Sequence, residues 1–325
     1  MTTLKSIQST IAPELRQLND LIAETLRSSN PLMTSIIDNY LRTKGKQIRP
    51  ILVLLSAGLF GKIDSRVISA GASVELLHNA SLIHDDVVDE TRMRRGEKTI
   101  NGVWDNHIAV LVGDFFVSSS LACALETGDI RIISSIASLG KLLSLGEIDQ
   151  IYNARYHNLS EDAYFETIYR KTASLFMSCV EMGAYAVNAP ADKIDVIREY
   201  ARLLGLCFQI RDDIFDYYED SAIGKPTGND LREGKITLPL LHVLLDETAP
   251  DHEKMMAVAT KETLSPEEIS LLIEYAKDNG GIEYSRARME ELRDRGVALL
   301  RGAFPPSETV ESFINIFDYI LVRDK

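Results

Sequence analysis

Two acidic motifs with the same spacing are the strongest candidates for chemistry in this sequence. They read DDVVD and DDIFD, and their aspartates are Asp85, Asp86, Asp89, Asp212, Asp213 and Asp216. On a helix of 3.6 residues per turn, the first and last aspartates of each motif lie about 40° apart, so they share one flank. Carboxylates this close repel one another unless a cation neutralises them. A hard divalent ion prefers oxygen ligands, so the motifs predict Mg²⁺ binding by these aspartates.

The positions of the two motifs favour a metal site over a solvated charged surface. A single DDxxD among 48 acidic residues is more often an exposed charged face. Here two copies occur, each toward the end of an apolar helix, where the helix dipole is unfavourable for acids. If the two helices face each other, several Mg²⁺ ions are needed to neutralise the cluster. Because Mg²⁺ usually leaves several positions to water or phosphate oxygens, a phosphorylated ligand is predicted.

Seven basic residues flank the acidic helices or lie near Gly-containing turns. Arginine offers a planar fork to phosphate oxygens, and lysine offers a point charge. Each alone is typical of an ordinary surface residue, but together they predict two anion sites beside the metal cluster. They are Lys46, Arg49, Arg94, Arg95, Lys171, Lys225 and Lys235.

The composition restricts the partners of the protein. A net charge of −13 argues against a nucleic-acid partner and against a basic membrane-surface patch. Cys123, Cys179 and Cys207 lie far apart in apolar segments, as expected for buried thiols in a reducing cytosol. We see no secretory signal, and no apolar run approaches the roughly 20 residues of a transmembrane helix. We therefore expect a cytoplasmic protein without a transmembrane segment.

Helical periodicity runs along the whole chain and predicts an all-α fold. We expect a single domain over residues 1–325 with about a dozen helices, and no β-strand or hairpin signal is present. The first motif ends a predicted helix over Val67–Val88, and the second lies in one from about Asp192 to Tyr218. Ser160 and Ser265 are predicted N-caps of later helices.

Several motifs together resemble the trans-type polyprenyl diphosphate synthases, in particular the medium- and long-chain octaprenyl and heptaprenyl types. The likeness covers most of the chain, and the motifs occur in the family's order. They are GKQIRP at Gly45–Pro50, HNASLIHDDVVDETRMRRG at His78–Gly96, YRKTASLF at Tyr169–Phe176, QIRDDIFDY at Gln209–Tyr217 and GKPTGNDLREGKITLPLL at Gly224–Leu241. One departure is Lys44, which stands where the family commonly has a second glycine.

The resemblance implies a large helical bundle around a central cavity. It also implies a homodimer that condenses an allylic diphosphate with isopentenyl diphosphate, using two or three Mg²⁺ ions and bound diphosphate. By this likeness Asp85, Asp89, Arg94, Lys171 and Asp212 are catalytic. The isopentenyl diphosphate site matches Lys46, Arg49, His78 and Arg95. The allylic diphosphate site matches Arg94, Lys171, Thr172, Gln209, Lys225 and Lys235.

The length of the product is predicted from the residues before the first acid motif. Short-chain members place a bulky aromatic residue where this chain has Ala80 and Ser81, so a deep pocket and a product of about C30 to C50 are expected, for a quinone side chain. Phe115 and Phe116 are candidates for the pocket floor or for ordinary core residues. His84 is interpreted as structural. A geranylgeranyl-type synthase and a non-catalytic regulatory subunit of a heteromeric synthase remain open alternatives.

Overall fold

The computed structural model describes residues 4–42, 45–94, 96–218 and 227–323, and it confirms the all-α prediction. A π-helix also occurs, at Tyr169–Ala173. The α-helices are α1 Leu4–Thr10, α2 Ala12–Thr25, α3 Pro31–Arg42, α4 Ile48–Phe60, α5 Ser65–Val88, α6 Ile100–Val103, α7 Asn106–Glu126, α8 Ile130–Tyr156, α9 Glu161–Ile168, α10 Ser174–Ala186, α11 Ala191–Phe215, α12 Asn229–Arg232, α13 Leu238–Leu245, α14 His252–Ala259, α15 Pro266–Asp278, α16 Gly281–Ala303 and α17 Glu308–Val322.

One short hairpin corrects the expectation that the chain contains no strands. Strands β1 (Met93–Arg94) and β2 (Glu97–Lys98) pair antiparallel, with Met93 opposite Lys98. Gly96 has a positive φ of 80°, which glycine adopts without a steric penalty. Two-residue strands are too short to produce an alternating sequence pattern, which explains why the pattern analysis missed them.

The contacts of the chain define two compact units. The first unit comprises Met1–Lys141, Leu175–Glu199 and Leu300–Ile316, and the second comprises Leu142–Ser174, Tyr200–Leu299 and Phe317–Lys325. The single domain expected from the sequence stays a prediction.

Helices α5 and α7 form the centre of the first unit. Ser73 of α5 donates to the backbone oxygen of Ser120 on α7 at 2.8 Å, and Ser120 donates back to the oxygen of Ser73 at 2.7 Å. Small residues allow close packing: a Cβ at Gly71 would lie 2.5 Å from Cδ1 of Leu18. Asp64 caps the start of α5 by accepting from the amides of Arg66 and Val67. This packing fixes the direction of α5, which carries the first acid motif.

The second unit contains the π-helix and the end of α11 with the second acid motif. Its α15 begins with the predicted capping box, in which Ser265 accepts from the amide of Glu268 and Glu268 accepts from the amide of Ser265. The predicted cap at Ser160 is also confirmed, since its Oγ accepts from the amide of Ala163.

Helix α7 bears on the prediction that the chain has no transmembrane segment. Among the described residues it is the one helix that is long and apolar enough to cross a membrane. Length and composition are weak evidence, because the core helix of a globular protein has the same properties. Its inner face, including Val112, Phe116 and Cys123, is buried.

Candidate functional site

The first acid motif lies at the C-terminal end of α5, as predicted. Asp85 and Asp86 belong to the last turn of the helix. Asp89 is its C-cap, and its amide donates to the backbone oxygen of Asp85 at 2.8 Å. Asp85 and Asp89 are half-buried, whereas Asp86 is buried. The three acids therefore differ in their access to a ligand.

Asp86 is held by an arginine that the sequence assigned to a substrate. Nε and Nη2 of Arg94 lie 2.9 Å and 2.8 Å from Oδ1 of Asp86. Burial raises the pKa of Asp86, and the positive charge of Arg94 opposes that shift. Asn101 donates to the backbone oxygen of Asp86 at 2.8 Å. These bonds hold the segment after α5 against the acid motif, and they place Arg94 directly beside the candidate metal ligands.

Two carboxylates of the second motif are also engaged within the protein. Asp213 is buried and accepts from Tyr164 Oη at 2.6 Å and from Gln209 Nε2 at 2.8 Å. Burial, with a smaller contribution from the neighbouring carboxylates of Asp212 and Asp216, raises the pKa of Asp213 to about 7. The side chain of Asp216 accepts from the amides at the start of α12, those of Asn229 (3.1 Å) and Asp230 (2.9 Å).

Asp212 is a partly exposed acid of the second motif. Its side chain is 39% exposed, and it forms an ion pair with Arg323, the residue after α17. The sequence analysis did not select Arg323, because nothing in the local pattern connects it with a motif more than one hundred residues earlier.

Lys171 and Thr172 lie on the π-helix Tyr169–Ala173. Nζ of Lys171 is 2.5 Å from Oε1 of Glu147 and 2.7 Å from Oε1 of Gln150. The hydroxyl of Thr172 donates to Oε1 of Gln209 at 2.6 Å, which joins Thr172 to Asp213 through Gln209. Single-turn π-helices occur frequently at functional sites. Lys171 and Thr172 therefore both take part in a polar hydrogen-bond network on the π-helix.

A cavity of about 150 Å³ in the second unit brings several predicted residues together. Lys171, Gln209, Asp213 and Lys235 all line it. Asp230 lines it as well, and burial together with the charges of Asp213 and Asp216 raises the pKa of Asp230. The cavity therefore contains two lysines and two aspartates with raised pKa values. This combination suits a multiply charged ligand together with its metal ions.

The structure describes three of the four residues predicted to bind isopentenyl diphosphate. Lys46 is exposed just before α4, and Arg49 is half-buried in its first turn, 5.7 Å from the ring centre of Phe176. His78 is half-buried on α5. Arg95 and Lys225 lie outside the described residues, as does Lys44, the one departure from the family pattern.

The residues predicted to set product length lie inside the first unit. Ala80 is fully buried and Ser81 is half-buried, with its hydroxyl bonded to the backbone oxygen of His78 at 2.9 Å. Phe116 is fully buried and packs edge-on against Tyr40, with 4.9 Å between ring centres. Phe115 is only half-buried. Phe116 is therefore part of the packed interior beside α5, whereas Phe115 is not.

His84 has the structural contacts expected of it. Its Nε2 lies 3.1 Å from the backbone oxygen of Val110 and 3.4 Å from Oδ1 of Asp114. A Cβ at Gly113 would lie 2.2 Å from that nitrogen, so a larger residue there would displace the imidazole.

The carboxylates of the acid motifs are the ligand type that a divalent cation prefers, but they do not form a complete metal site in advance. Among the residues that the structure describes, no three His, Cys, Asp or Glu side chains converge as metal ligands. Asp85 and Asp89 in the first unit, and Asp212 in the second, supply partly exposed carboxylates. Mg²⁺ commonly uses one or two carboxylates and completes its shell with water and phosphate oxygens, which fits such a donor set.

The structure also shows site residues that sequence reasoning missed. They are Glu147, Gln150, Tyr164, Asp230 and Arg323. Glu147 and Gln150 share one face of α8 at a spacing of three residues, which was a usable signal. For the other three, the contacts join segments distant in sequence.

Comparisons with known proteins agree with this fold. Residues 30–276 match the model of the polyprenyl synthetase family. Octaprenyl diphosphate synthase of Escherichia coli (strain K12) is 31% identical over 323 residues, covering 99% of each chain. The chain therefore belongs to the polyprenyl synthetase family, and it is a prenyltransferase.

Two solved structures show the same fold over nearly the whole chain. Polyprenyl synthase from Caulobacter crescentus CB15, complexed with calcium and isoprenyl diphosphate, has a TM-score of 0.91 at 27% identity and covers 100% of this chain and 99% of its own. Geranylgeranyl pyrophosphate synthase from Bacteroides thetaiotaomicron has a TM-score of 0.84 at 38% identity, with 98% of each chain covered.

Proposed function

We propose that this prenyltransferase condenses an allylic diphosphate with successive isopentenyl diphosphates in a Mg²⁺-dependent reaction. Its product is an all-trans polyprenyl diphosphate of about C30 to C50 for a quinone side chain. One observation carries the proposal. Each of two DDxxD motifs keeps partly exposed carboxylates, Asp85 and Asp89 in the first motif and Asp212 and Asp216 in the second.

Asp85 and Asp89 would bind Mg²⁺ at the first motif, and Asp212 would bind it at the second; with diphosphate bound, the family resemblance implies two or three ions. The sequence also selects Asp86, Asp213 and Asp216 as ligands. Asp86 and Asp213 are buried and are bonded by neighbouring side chains, so these two would support the metal site. The calcium and isoprenyl diphosphate named for the Caulobacter structure support a divalent ion. When bound, Mg²⁺ supplies Lewis-acid stabilisation of the leaving pyrophosphate.

The residues of the chain then bind, orient and shield the reactants. Lys46, Arg49, His78 and Arg95 hold isopentenyl diphosphate, and the allylic diphosphate is bound by Arg94, Lys171, Thr172, Gln209, Lys225 and Lys235. Arg94 and Lys171 place fixed positive charge where charge grows on the departing pyrophosphate.

The reaction itself needs no protein nucleophile. The allylic C–O bond breaks, and the double bond of isopentenyl diphosphate attacks the allylic cation and forms the new C–C bond. Pyrophosphate takes the proton that is lost, which regenerates an allylic diphosphate five carbons longer. Water would quench the cation, so apolar walls must exclude it.

Small residues just before the first acid motif set the length of the product. The small side chains of Ala80 and Ser81 would leave room for the growing chain one turn before Asp85. The fully buried Phe116, which packs against the half-buried Tyr40, is the candidate floor. The octaprenyl name of the Escherichia coli relative supports this reading. The 38% identity to a geranylgeranyl pyrophosphate synthase favours a second candidate, a shorter C20 product.

We further propose a homodimer in the cytoplasm. Helix α7 presents an exposed apolar stripe that includes Leu111, Leu121 and Leu125, which a second copy would cover. Intact acid motifs support catalysis over a purely regulatory role in a heteromeric synthase.

One incubation tests these proposals. The purified chain alone is mixed with farnesyl diphosphate, isopentenyl diphosphate and Mg²⁺, and the released pyrophosphate and the product mass are measured. We expect products of about C30 to C50, by analogy with family members that have small residues before the first acid motif. A single C20 product would establish the shorter synthase, and no turnover would favour the regulatory subunit. Asp85→Ala and Asp212→Ala should each abolish turnover with folding retained.

Two further variants test the pocket. Ala80→Phe and Ser81→Phe should each shorten the product, because a phenyl ring would fill the space one turn before Asp85. Unchanged chain length in both variants refutes the assignment of this pocket.

A further inference from the structure

Arg323 is a buried cation that neither the acid motifs nor the substrate sites account for. Only 8% of it is exposed, although a buried guanidinium is costly without complete hydrogen bonding. Its Nε is buried and finds no hydrogen-bond partner among the described residues. Unmade bonds of this kind lower stability, so a role in stability alone explains the residue poorly.

Contacts from α11 fix Arg323 in place. Arg211 donates from Nε (3.0 Å) and Nη2 (2.6 Å) to the backbone oxygen of Arg323. The guanidinium of Arg323 lies 4.1 Å from the ring centre of Phe208 and 5.4 Å from that of Phe215. Stacking on aromatic rings holds a planar guanidinium in one orientation. Backbone and side chain are thus both anchored on the helix that carries the second acid motif.

The anchored guanidinium meets one carboxylate of that motif. Nη2 of Arg323 donates to Oδ1 of Asp212 and also, at 3.3 Å, to the backbone oxygen of Phe208. Asp213 and Asp216 are oriented by Tyr164 and by backbone amides, so Arg323 performs for Asp212 what those groups perform for its neighbours. Unlike Tyr164 and the backbone amides, Arg323 carries a full positive charge.

We propose that Arg323 is a positioning residue for Asp212, which orients this carboxylate and keeps it neutralised until Mg²⁺ arrives with diphosphate. The inference rests on the proposed role of Asp212 as a metal ligand. A fixed cation beside Asp212 repels a lone divalent ion. The diphosphate brings negative charge that offsets this repulsion, so metal is favoured together with substrate and disfavoured alone.

The test compares Arg323→Gln with Arg323→Lys and with Arg293→Gln. Arg293 of α16 pairs with Asp318 of α17 at 2.8 Å, so the control removes an arginine–aspartate pair that includes no residue of the acid motifs. Calorimetry measures binding of Mg²⁺ alone to each substrate-free protein, and then in the presence of inorganic pyrophosphate.

Removing the charge of Arg323 should change Mg²⁺ binding in a way that a structural defect would not. We expect Arg323→Gln to bind Mg²⁺ alone at least about fivefold tighter than the wild type, the lower end of typical coupling between sites. With pyrophosphate present the difference should shrink. At saturating Mg²⁺, kcat should fall because Asp212 loses its orientation, and Arg323→Lys should keep the weak binding of Mg²⁺ alone while losing part of kcat. Arg293→Gln should leave metal affinity unchanged.

Unchanged or weaker binding of Mg²⁺ alone by Arg323→Gln would overturn the inference. If Arg323→Gln does not fold, tight binding of Mg²⁺ by the charge-retaining Arg323→Lys would overturn it equally. Failure of the proposed function has a different signature. In that case the wild type gives no product and Asp212→Ala leaves Mg²⁺ binding unaltered.

Discussion

At the scale of single residues, hydrogen bonding separates the acids that the sequence treats alike. DDVVD and DDIFD each contain a carboxylate that is buried and bonded by neighbouring side chains, Asp86 by Arg94 and Asp213 by Tyr164 and Gln209. A buried carboxylate that accepts such bonds is fixed in position and is poorly placed to move toward a metal. The repeated motif thus combines fixed supports with accessible candidate ligands.

The raised pKa of Asp213 makes the stability of the metal-free protein depend on pH. This carboxyl titrates near 3.8 when exposed, and burial raises its pKa to about 7 in the folded chain. Between these values the folded state binds more protons than the unfolded state, so stability falls as pH rises from about 4 to 7. The slope from one proton is at most about 1.4 kcal/mol per pH unit.

Denaturant unfolding in a chelating buffer at several pH values measures this effect. Asp213→Asn cannot ionise, so we expect the variant to lose this part of the slope and to be relatively more stable near pH 7. Addition of Mg²⁺ with pyrophosphate should weaken the slope in the wild type, since metal favours ionised carboxylates. Identical slopes in the wild type and the variant contradict the assignment.

At the scale of elements, the sequence was informative where local signals agree. The helix predicted over Val67–Val88 occupies Ser65–Val88, so its end was predicted correctly, and the cap at Asp64 sets a start two residues earlier. The capping box at Ser265 was equally local. The position of both acid motifs near helix ends followed from the same patterns.

Features that depend on distant packing were not visible in the sequence. The π-helix needs one residue more per turn than the periodicity suggests, and only its neighbours stabilise it. Asp216 caps α12, and Arg323 reaches Asp212 from beyond α17, both through contacts that no window of sequence contains. Sequence analysis therefore identified the acids together with Arg94 and Gln209, but not Tyr164 or Arg323.

Gly146 of α8 allows the π-helix to approach closely. A Cβ at Gly146 would lie 2.7 Å from the backbone nitrogen of Lys171 and 3.0 Å from its Cα, whereas a Cβ at Gly140 on the same helix meets nothing within 4 Å. Gly146→Ala should therefore displace Lys171 from Glu147 and Gln150. We expect a loss of about 1–3 kcal/mol in stability from overpacking and a lower kcat.

Gly140→Ala is the matched control for that substitution. It replaces glycine by alanine in the same helix without a clash, so it should leave kcat unchanged and raise stability by up to about 1 kcal/mol. Thermal unfolding and steady-state kinetics of the two variants check the prediction. Wild-type kcat in Gly146→Ala would show that the close contact does not position Lys171.

At the scale of the whole molecule, the outer face of α7 is the feature that single-chain packing leaves unexplained. Leu111 is 64% exposed and Leu125 is 62% exposed, and Leu121 lies between them on the same side of the helix. The opposite face of α7 is buried against α5 through Ser120 and its neighbours. An amphipathic pattern would place polar residues on the outer face, so its leucines indicate a further contact.

We predict that this face of α7 forms the homodimer contact and that charge placed on it separates the subunits. Leu111→Asp combined with Leu125→Asp would place two carboxylates from each subunit in an apolar contact, where unpaired charges are costly to bury. Light scattering across a range of protein concentrations should show a dimer for the wild type and a monomer for the double variant. Leu245→Asp, at an exposed leucine that ends α13, is the control and should remain dimeric. A double variant that stays dimeric would place the contact elsewhere, and a monomeric wild type would exclude it.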